Sequence, residues 1–366
     1  MFEKVLKFVN KVGFIRKFIL FAAFFGIAGF YGCDTCDLGE SKDKEANDIF
    51  FSALNLNGSI PGIYAVSPDG SNLREIVKDA VLYSGPSRNK TIVFLREKAG
   101  EDTLLFTVKT NGDSLNQSSI TFNLDWISMP VISPDGKNIA IYIGGGQLIM
   151  YDIVAFKQWA TYSFYEGTEP SFSPDGSFLA FYERDGLFGP IWIKVVRTGD
   201  LKDIVYRRSF ERLLNPMQGN ATINWSDDSR FLTYTVSDTE ATTDIIYIHE
   251  IYNNTDNKLV ISGIGAKMPS LSPDKKAVVF AARDGNIWVR TITDGRNFKM
   301  TDADSTIEFN LYPQWTNDGK EIFYTKYYRD DTSKFGGTLE IVNYLSGRRL
   351  VLSNNVLRGY KMRIKA

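Results

Sequence analysis

Short apolar runs separated by polar, turn-forming clusters dominate this chain, and the runs are too brief for helices. Five of them are residues 139–142 (Ile-Ala-Ile-Tyr), 179–182 (Leu-Ala-Phe-Tyr), 232–235 (Leu-Thr-Tyr-Thr), 278–281 (Val-Val-Phe-Ala) and 322–325 (Ile-Phe-Tyr-Thr). β-Branched and aromatic residues fill them, which predicts strands. Ahead of each lies one turn phrase: Ile132-Ser133-Pro134-Asp135-Gly136, Phe172-Ser173-Pro174-Asp175-Gly176, Trp225-Ser226-Asp227-Asp228-Ser229, Leu271-Ser272-Pro273-Asp274-Lys275 and Trp315-Thr316-Asn317-Asp318-Gly319. Proline presets the turn φ, Ser and Asp hydrogen-bond the turn backbone, and glycine accepts positive φ. Each phrase therefore predicts a hairpin, whose strands are termed A and B.

A second hairpin, C–D, follows each first one. Residues 191–205 show it with the turn Arg197-Thr-Gly-Asp200, and equivalents fall at 104–120, 147–162, 244–262, 286–301 and 338–352. The turn Ser/Thr positions 133, 173, 226, 272 and 316 are 40, 53, 46 and 44 residues apart. Four short strands repeating at that period predict an all-β fold, a β-propeller of four-stranded blades. A worn A–B hairpin at 84–95 and an extra C–D hairpin at 63–77 add two repeats. The latter follows Ile49-Phe-Phe-Ser52, a strand B without its A, while residues 358–365 alternate like a strand without a partner. Joining these two predicts seven blades, closed by the C-terminal strand with no open edge; six or eight are the neighbouring counts.

These residues resemble the TolB-like propeller repeat family, cousins of the WD-type repeats. The resemblance is carried by Pro130 with Ser133-Pro-Asp-Gly136, Pro170 with Ser173-Pro-Asp-Gly176, Pro269 with Ser272-Pro-Asp274, the Pro313/Trp315 copy, and the Pro-Asp-Gly-Ser-Asn-Leu-Arg centre of residues 63–77. It covers about residues 48–352, and the copies at 84, 226 and 316 depart from the consensus. It implies a propeller that docks proteins in a cell envelope. Propellers host unrelated activities, so the fold by itself names no function.

The N-terminus is a different object. Lys4, Lys7, Lys11, Arg16 and Lys17 precede a fifteen-residue apolar run, 18–32, ending at Gly32-Cys33. That length fits a secretory signal core and is short for a membrane span. Gly32-Cys33 resembles the bacterial lipoprotein processing box, although Phe30 and Tyr31 stand where aliphatic and small residues are preferred. The expected organisation is a signal peptide over 1–32 with lipidation at Cys33, a polar tether over 33–47, and the propeller over 48–366. An uncleaved signal anchor is the alternative, and Cys33-X-X-Cys36 as a redox or metal pair lacks both a strand-to-helix setting and a second ligand pair. The expected location is the cell envelope facing the periplasm, at the inner or outer membrane.

Composition narrows the chemistry. The net charge is −1, and the leader holds five of the 42 Lys/Arg and one of the 43 Asp/Glu, which leaves −5 for residues 33–366. Such a balance disfavours nucleic acid as a partner. His249 is the one histidine and lies inside a predicted C strand, so it predicts neither a His-rich metal site nor a Ser-His-Asp triad. No cofactor or metal is expected. Gly144-Gly145-Gly146, Arg184-Asp185-Gly186 and Arg283-Asp284-Gly285 read as B–C turns. Asp135, Asp175, Asp274 and Asp318 repeat at equivalent turns, which argues for structure over an acid/base pair. Propellers also stand beside hydrolase domains in prolyl oligopeptidase and dipeptidyl peptidases, but here the repeats and the leader leave no such domain.

A–B and C–D turns share one face of a propeller, and the longer B–C and D–A connections share the other. Variable loops on a rigid scaffold are where binding concentrates. The predicted partner face comprises Asp125, Trp126, Tyr165, Glu166, Glu169, Arg208, Arg212, Glu308, Tyr312 and Tyr328, rich in the residue types of interface hot spots. The expected protein is a monomeric, non-enzymatic envelope lipoprotein binding an envelope protein or complex. The alternative is a carbohydrate-active or other small-substrate enzyme using channel-mouth carboxylates such as Glu169, Glu308 and Asp125. A glycosidase would need two carboxyls facing each other at about 5–9.5 Å, and the lyases with similar repeats rely on several histidines.

Overall fold

A computed structural model describes residues 47–54, 60–96, 103–122, 130–143, 146–155, 157–163, 166–167, 170–184, 186, 189–210, 222–237, 243–330 and 336–361. Among them the regular structure is β-sheet, and no helix is long and apolar enough to cross a membrane. Cys33, the leader and the polar segment as far as residue 46 lie outside the described residues.

The strands form seven antiparallel blades in chain order. Blade 2 shows the plan: strand A Val81–Leu82, B Thr91–Arg96, C Thr103–Lys109 and D Asn116–Phe122. Blades 3 to 6 begin with A strands Val131–Ile132, Ser171–Phe172, Asn224–Trp225 and Lys267–Leu271. Blade 7 opens with Glu308–Trp315.

Closure happens within one strand. Arg349–Lys361 begins as strand D of blade 7, with Arg349 opposite Val342 and Ser353 opposite Leu339. It then continues as strand A of blade 1, with Val356, Tyr360 and Lys361 opposite Ala53, Phe50 and Ile49. Val356, just after Asn355 at a φ of 57°, stands opposite both Gly337 of blade 7 and Ala53 of blade 1. The predicted seven blades and C-terminal closure are what the structure contains. The first and last described strands are thereby hydrogen-bonded into one sheet, and the inner strand of blade 1 is not left as an open edge.

Seven apolar clusters lie between the blades, one at each interface. This is why the B strands are apolar on both faces. In Thr91–Arg96, Ile92 and Phe94 pack towards blade 1 while Val93 and Leu95 pack towards blade 3. Burial of a side chain of this size contributes about 1.5–3 kcal/mol, so the inter-blade layers dominate the stability.

The repeated phrase closes each A–B hairpin in one geometry. Ser173 Oγ donates to Asp175 Oδ1 at 2.6 Å and accepts from the Phe178 N–H at 2.9 Å. Ser133, Ser226, Ser272 and Thr316 repeat both bonds, so the divergent copies keep the turn. In the worn copy Ser87 takes this role, accepting from the Thr91 N–H at 3.0 Å. Neighbouring turns also gear together. Gly176 has a φ of 82°, and a Cβ there would lie 3.6 Å from Pro134 of the preceding blade.

Candidate docking face and central channel

The innermost A strands line a central cavity of about 130 Å³. Ser84 and Gly85 reach it from blade 2, Phe172 from blade 4, Asn224 and Asp227 from blade 5, and Arg358 with Lys361 from blade 1. The inner strands sit close: a Cβ on Gly85 would lie 2.3 Å from the Lys361 carbonyl oxygen. Lys361 Nζ meets Asp227 Oδ1 at 2.8 Å, an ion pair between blades 1 and 5. Among the described lining residues Asp227 is the one carboxylate, and it is paired.

From this lining a chain of rings and cations leads to the B–C/D–A face. The Arg358 guanidinium lies 4.8 Å from the Tyr360 ring centroid and 4.3 Å from that of Tyr312. Tyr312 meets Tyr327 edge-on at 6.5 Å, and Tyr327 stacks on Phe309 at 5.6 Å. Arg329 covers Phe309 at 5.5 Å. Cation–π contacts of this kind contribute about 0.5–1 kcal/mol each when exposed and more when dry. Tyr327 also donates its hydroxyl to the Leu357 carbonyl, and burial raises its phenol pKa, so it stays a neutral donor. Tyr312 has a φ of 57°, and its N–H points at Met268 Sδ, 3.3 Å away in blade 6.

The predicted face residues are distributed unevenly. Tyr312 joins the aromatic–cationic chain, and Tyr328 ends strand B of blade 7 with 43% exposure. Glu308 instead belongs to a network across strands A, B and C of blade 7. Its Oε2 is 3.6 Å from Lys326 Nζ, which also holds Glu340 Oε1 at 3.1 Å, and Tyr324 donates to Glu340 Oε2 at 2.7 Å. Burial disfavours the Lys326 ammonium, but Glu340 and Glu308 outweigh it and raise the pKa. Glu308 is therefore a counter-ion held in place.

Arg208 lies in the outer wall. Strand D of blade 4 runs from Asp200 to Phe210, past the expected end at Val205, and pairs Arg208 with Ile193. The guanidinium sits 4.3 Å over the Tyr247 ring and forms an ion pair with Asp256 of blade 5. Asp256 Oδ1 is also 2.9 Å from His249 Nδ1, and the His249 ring stacks on Tyr206 at 3.6 Å between centroids. Burial lowers the His249 pKa, opposed by Asp256. The histidine is structural, as its place in strand C predicts. Asp125, Trp126, Tyr165, Glu169 and Arg212 lie outside the described residues, as does the Glu166 side chain.

Arg358 and Lys361 were not legible as site residues, because the sequence marks them only as part of a closing strand. Their position as strand A of blade 1, the innermost strand, puts them at the channel. Among the described residues no group of three or more His, Cys, Asp or Glu side chains is placed to hold a metal.

No family model matches this sequence, and no curated protein matches it. Solved structures do. TolB from Acinetobacter baumannii matches at 15% identity and a TM-score of 0.49, over 85% of this chain and 82% of that one. A chain of the mitotic checkpoint complex matches at 13% identity and 0.53, over 74% and 80%. Oligogalacturonate lyase from Vibrio parahaemolyticus matches at 13% identity and 0.52, over 75% and 87%. The checkpoint and lyase chains carry the comparison, and at these identities the likeness is one of fold. The fold is a seven-bladed β-propeller.

Proposed function

We propose that this chain is a non-enzymatic, membrane-anchored envelope lipoprotein whose propeller docks a protein partner through its B–C/D–A face. The observation that carries the docking is the Arg358–Tyr312–Tyr327–Phe309–Arg329 chain at the channel mouth. Rigid rings and guanidinium groups bind with little loss of side-chain freedom, and they are enriched in interface hot spots. The leader, the apolar run and Gly32-Cys33 support export and lipidation. Against the carboxylate-enzyme reading, Glu308 is held by Lys326 and Asp227 by Lys361, so neither faces a second free carboxyl across the described lining.

The test is a crosslinking pull-down from envelope membranes with the intact protein and with an Arg329→Ala/Tyr312→Ala variant. Loss of the captured partner with an unchanged far-UV spectrum and melting curve supports the face. Equal capture by both forms removes it. For the anchor, Cys33→Ser should release the protein from membranes; retention at a larger apparent mass would indicate an uncleaved apolar helix.

A further inference from the structure

We infer that the opposite face, carrying the A–B and C–D turns, lies on a lipid bilayer with Leu73, Leu115, Val154, Tyr252 and Leu345 in the headgroup layer. The inference rests on the membrane-anchored reading above and adds which way the ring faces.

The first observation is exposure. Leu345 is 90% exposed, Val154 72%, Tyr252 61% and Leu73 56%, the four highest values among the described large apolar residues; Leu115 is 48% exposed. All five lie in C–D turns, of blades 7, 3, 5, 1 and 2 respectively. These turns sit on one side of the ring, so their tips can meet a flat surface together. They are single protrusions on separate blades, whereas a protein interface is built around a contiguous apolar patch. Apolar tips and a Tyr on a polar platform suit the bilayer interface.

The second observation is where the chain enters. Ile49 pairs with Val66, at the start of the blade 1 C–D turn. Asp48, whose side chain is 4% exposed, accepts from Ser67 Oγ at 2.8 Å and from Arg74 Nη1 at 2.7 Å. Residue 47 thus emerges beside Leu73, on the same face as the five tips. From there to Cys33 the chain can span no more than about 50 Å even fully extended, and the apolar run 18–32 directly precedes that cysteine. The face from which residue 47 leaves the propeller is the face with the apolar tips.

Charge agrees with insertion over electrostatic attraction. Arg348 follows Leu345 and Lys157 follows Val154, both exposed and able to reach phosphates beside a buried tip, while Arg349 is held by Asp302 at 2.8 Å. The turn carboxylates Asp135, Asp175, Asp274 and Asp318 are engaged by their own turn hydroxyls and N–H groups. The B–C/D–A face then points away from the membrane, free to receive a partner.

The test uses the full chain reconstituted into phosphatidylethanolamine/phosphatidylglycerol vesicles, in a Cys36→Ser background. Leu345→Cys, Val154→Cys or, on the opposite face, Ile307→Cys carries a bimane label, and nitroxide lipids quench it; the label on the parent chain is subtracted. The expected result is co-sedimentation with the vesicles, with quenching at 345 and 154 at least about fivefold above that at 307, as interfacial burial of about 5–10 Å requires. Sedimentation without quenching at 345 and 154 overturns the inference and leaves the anchor standing. Quenching at 307 instead overturns it in favour of the other face. A chain that stays in the supernatant overturns the anchored reading itself. Unquenched tips that crosslink to a protein in native envelopes overturn the lipid as occupant.

Discussion

Lys361 and Asp227 lie 134 residues apart in sequence, yet their side chains form an ion pair of 2.8 Å at the central cavity. Lys361 stands on the strand that closes blade 1, and Asp227 in the A–B turn of blade 5. The pair therefore exists only once the ring is complete. Both side chains are about one-fifth exposed, 22% and 21%, so their attraction is screened less than at a free surface. Lys361→Met should cost about 1–2 kcal/mol by stranding the Asp227 carboxylate. Lys361→Met/Asp227→Asn should recover part of that loss. A double-mutant cycle in urea measures the coupling; strictly additive losses would mean the two residues do not interact in solution.

His249 makes stability depend on pH. Burial lowers its folded pKa below the ordinary 6.5 despite Asp256 at 2.9 Å. In the unfolded chain it takes up a proton near 6.5, and in the folded chain only at lower pH. Between those values the unfolded state binds more protons, so stability falls as pH drops from 7.5 towards 5.5. Arg208, Asp256 and Glu250 act on the ring and travel with it in this comparison. His249→Gln should flatten the urea midpoint against pH across that window, and an unchanged slope would assign the dependence elsewhere. The lowered pKa values of Asp175, Asp228 and Asp274 act separately, removing stability only as pH falls through the carboxylate range.

The divergent turn copies should be worth as much as the consensus ones. Ser173 and Thr316 make the same two bonds, at 2.6 and 2.9 Å and at 2.7 and 3.1 Å. Ser173→Ala and Thr316→Val should each cost about 1–2 kcal/mol, the net value of a hydrogen bond plus an unsatisfied N–H. Thermal melts of the two variants check this, and a neutral Thr316→Val would show that the copy lost its role along with its consensus.

Removing the closing strand should be far more damaging than its length suggests. A chain stopped at Ser353 keeps strand D of blade 7 but loses Val356 to Lys361, opening the edge of Ile49–Leu54 and uncovering Phe50. Exposed apolar edges pair with other copies, so gel filtration should show oligomers or aggregate. A monomer with a native-like melt would mean that the ring closes without this strand.

Much of the architecture was readable from the chain because it repeats. Turns such as Ser133-Pro-Asp-Gly136 are local, satisfied by atoms within five residues, and a pattern so local survives as sequence. The orphan B strand at Ile49 and the orphan strand at the C-terminus likewise identified each other, since a closed propeller needs an inner strand A in every blade. Arg208 shows where such reading stops. Arg207-Arg208-Ser209 is polar enough to read as loop, yet the outermost strand of a blade meets solvent on one side and tolerates polar residues. Its engagement with Asp256 and Tyr247 depends on how blade 5 packs against blade 4.

The amino-acid sequence by itself determined the blade, the number of blades and the strand that seals them, because turn chemistry and strand patterning act over a few residues. Only the tertiary structure decided what faces the channel and what is spent within the wall. It put Arg358 beside Tyr312, gave Glu308 to Lys326, and set Lys361 against Asp227. Those pairings join residues from different strands or blades, and they follow from strand register and from how one sheet meets the next, which no local pattern records.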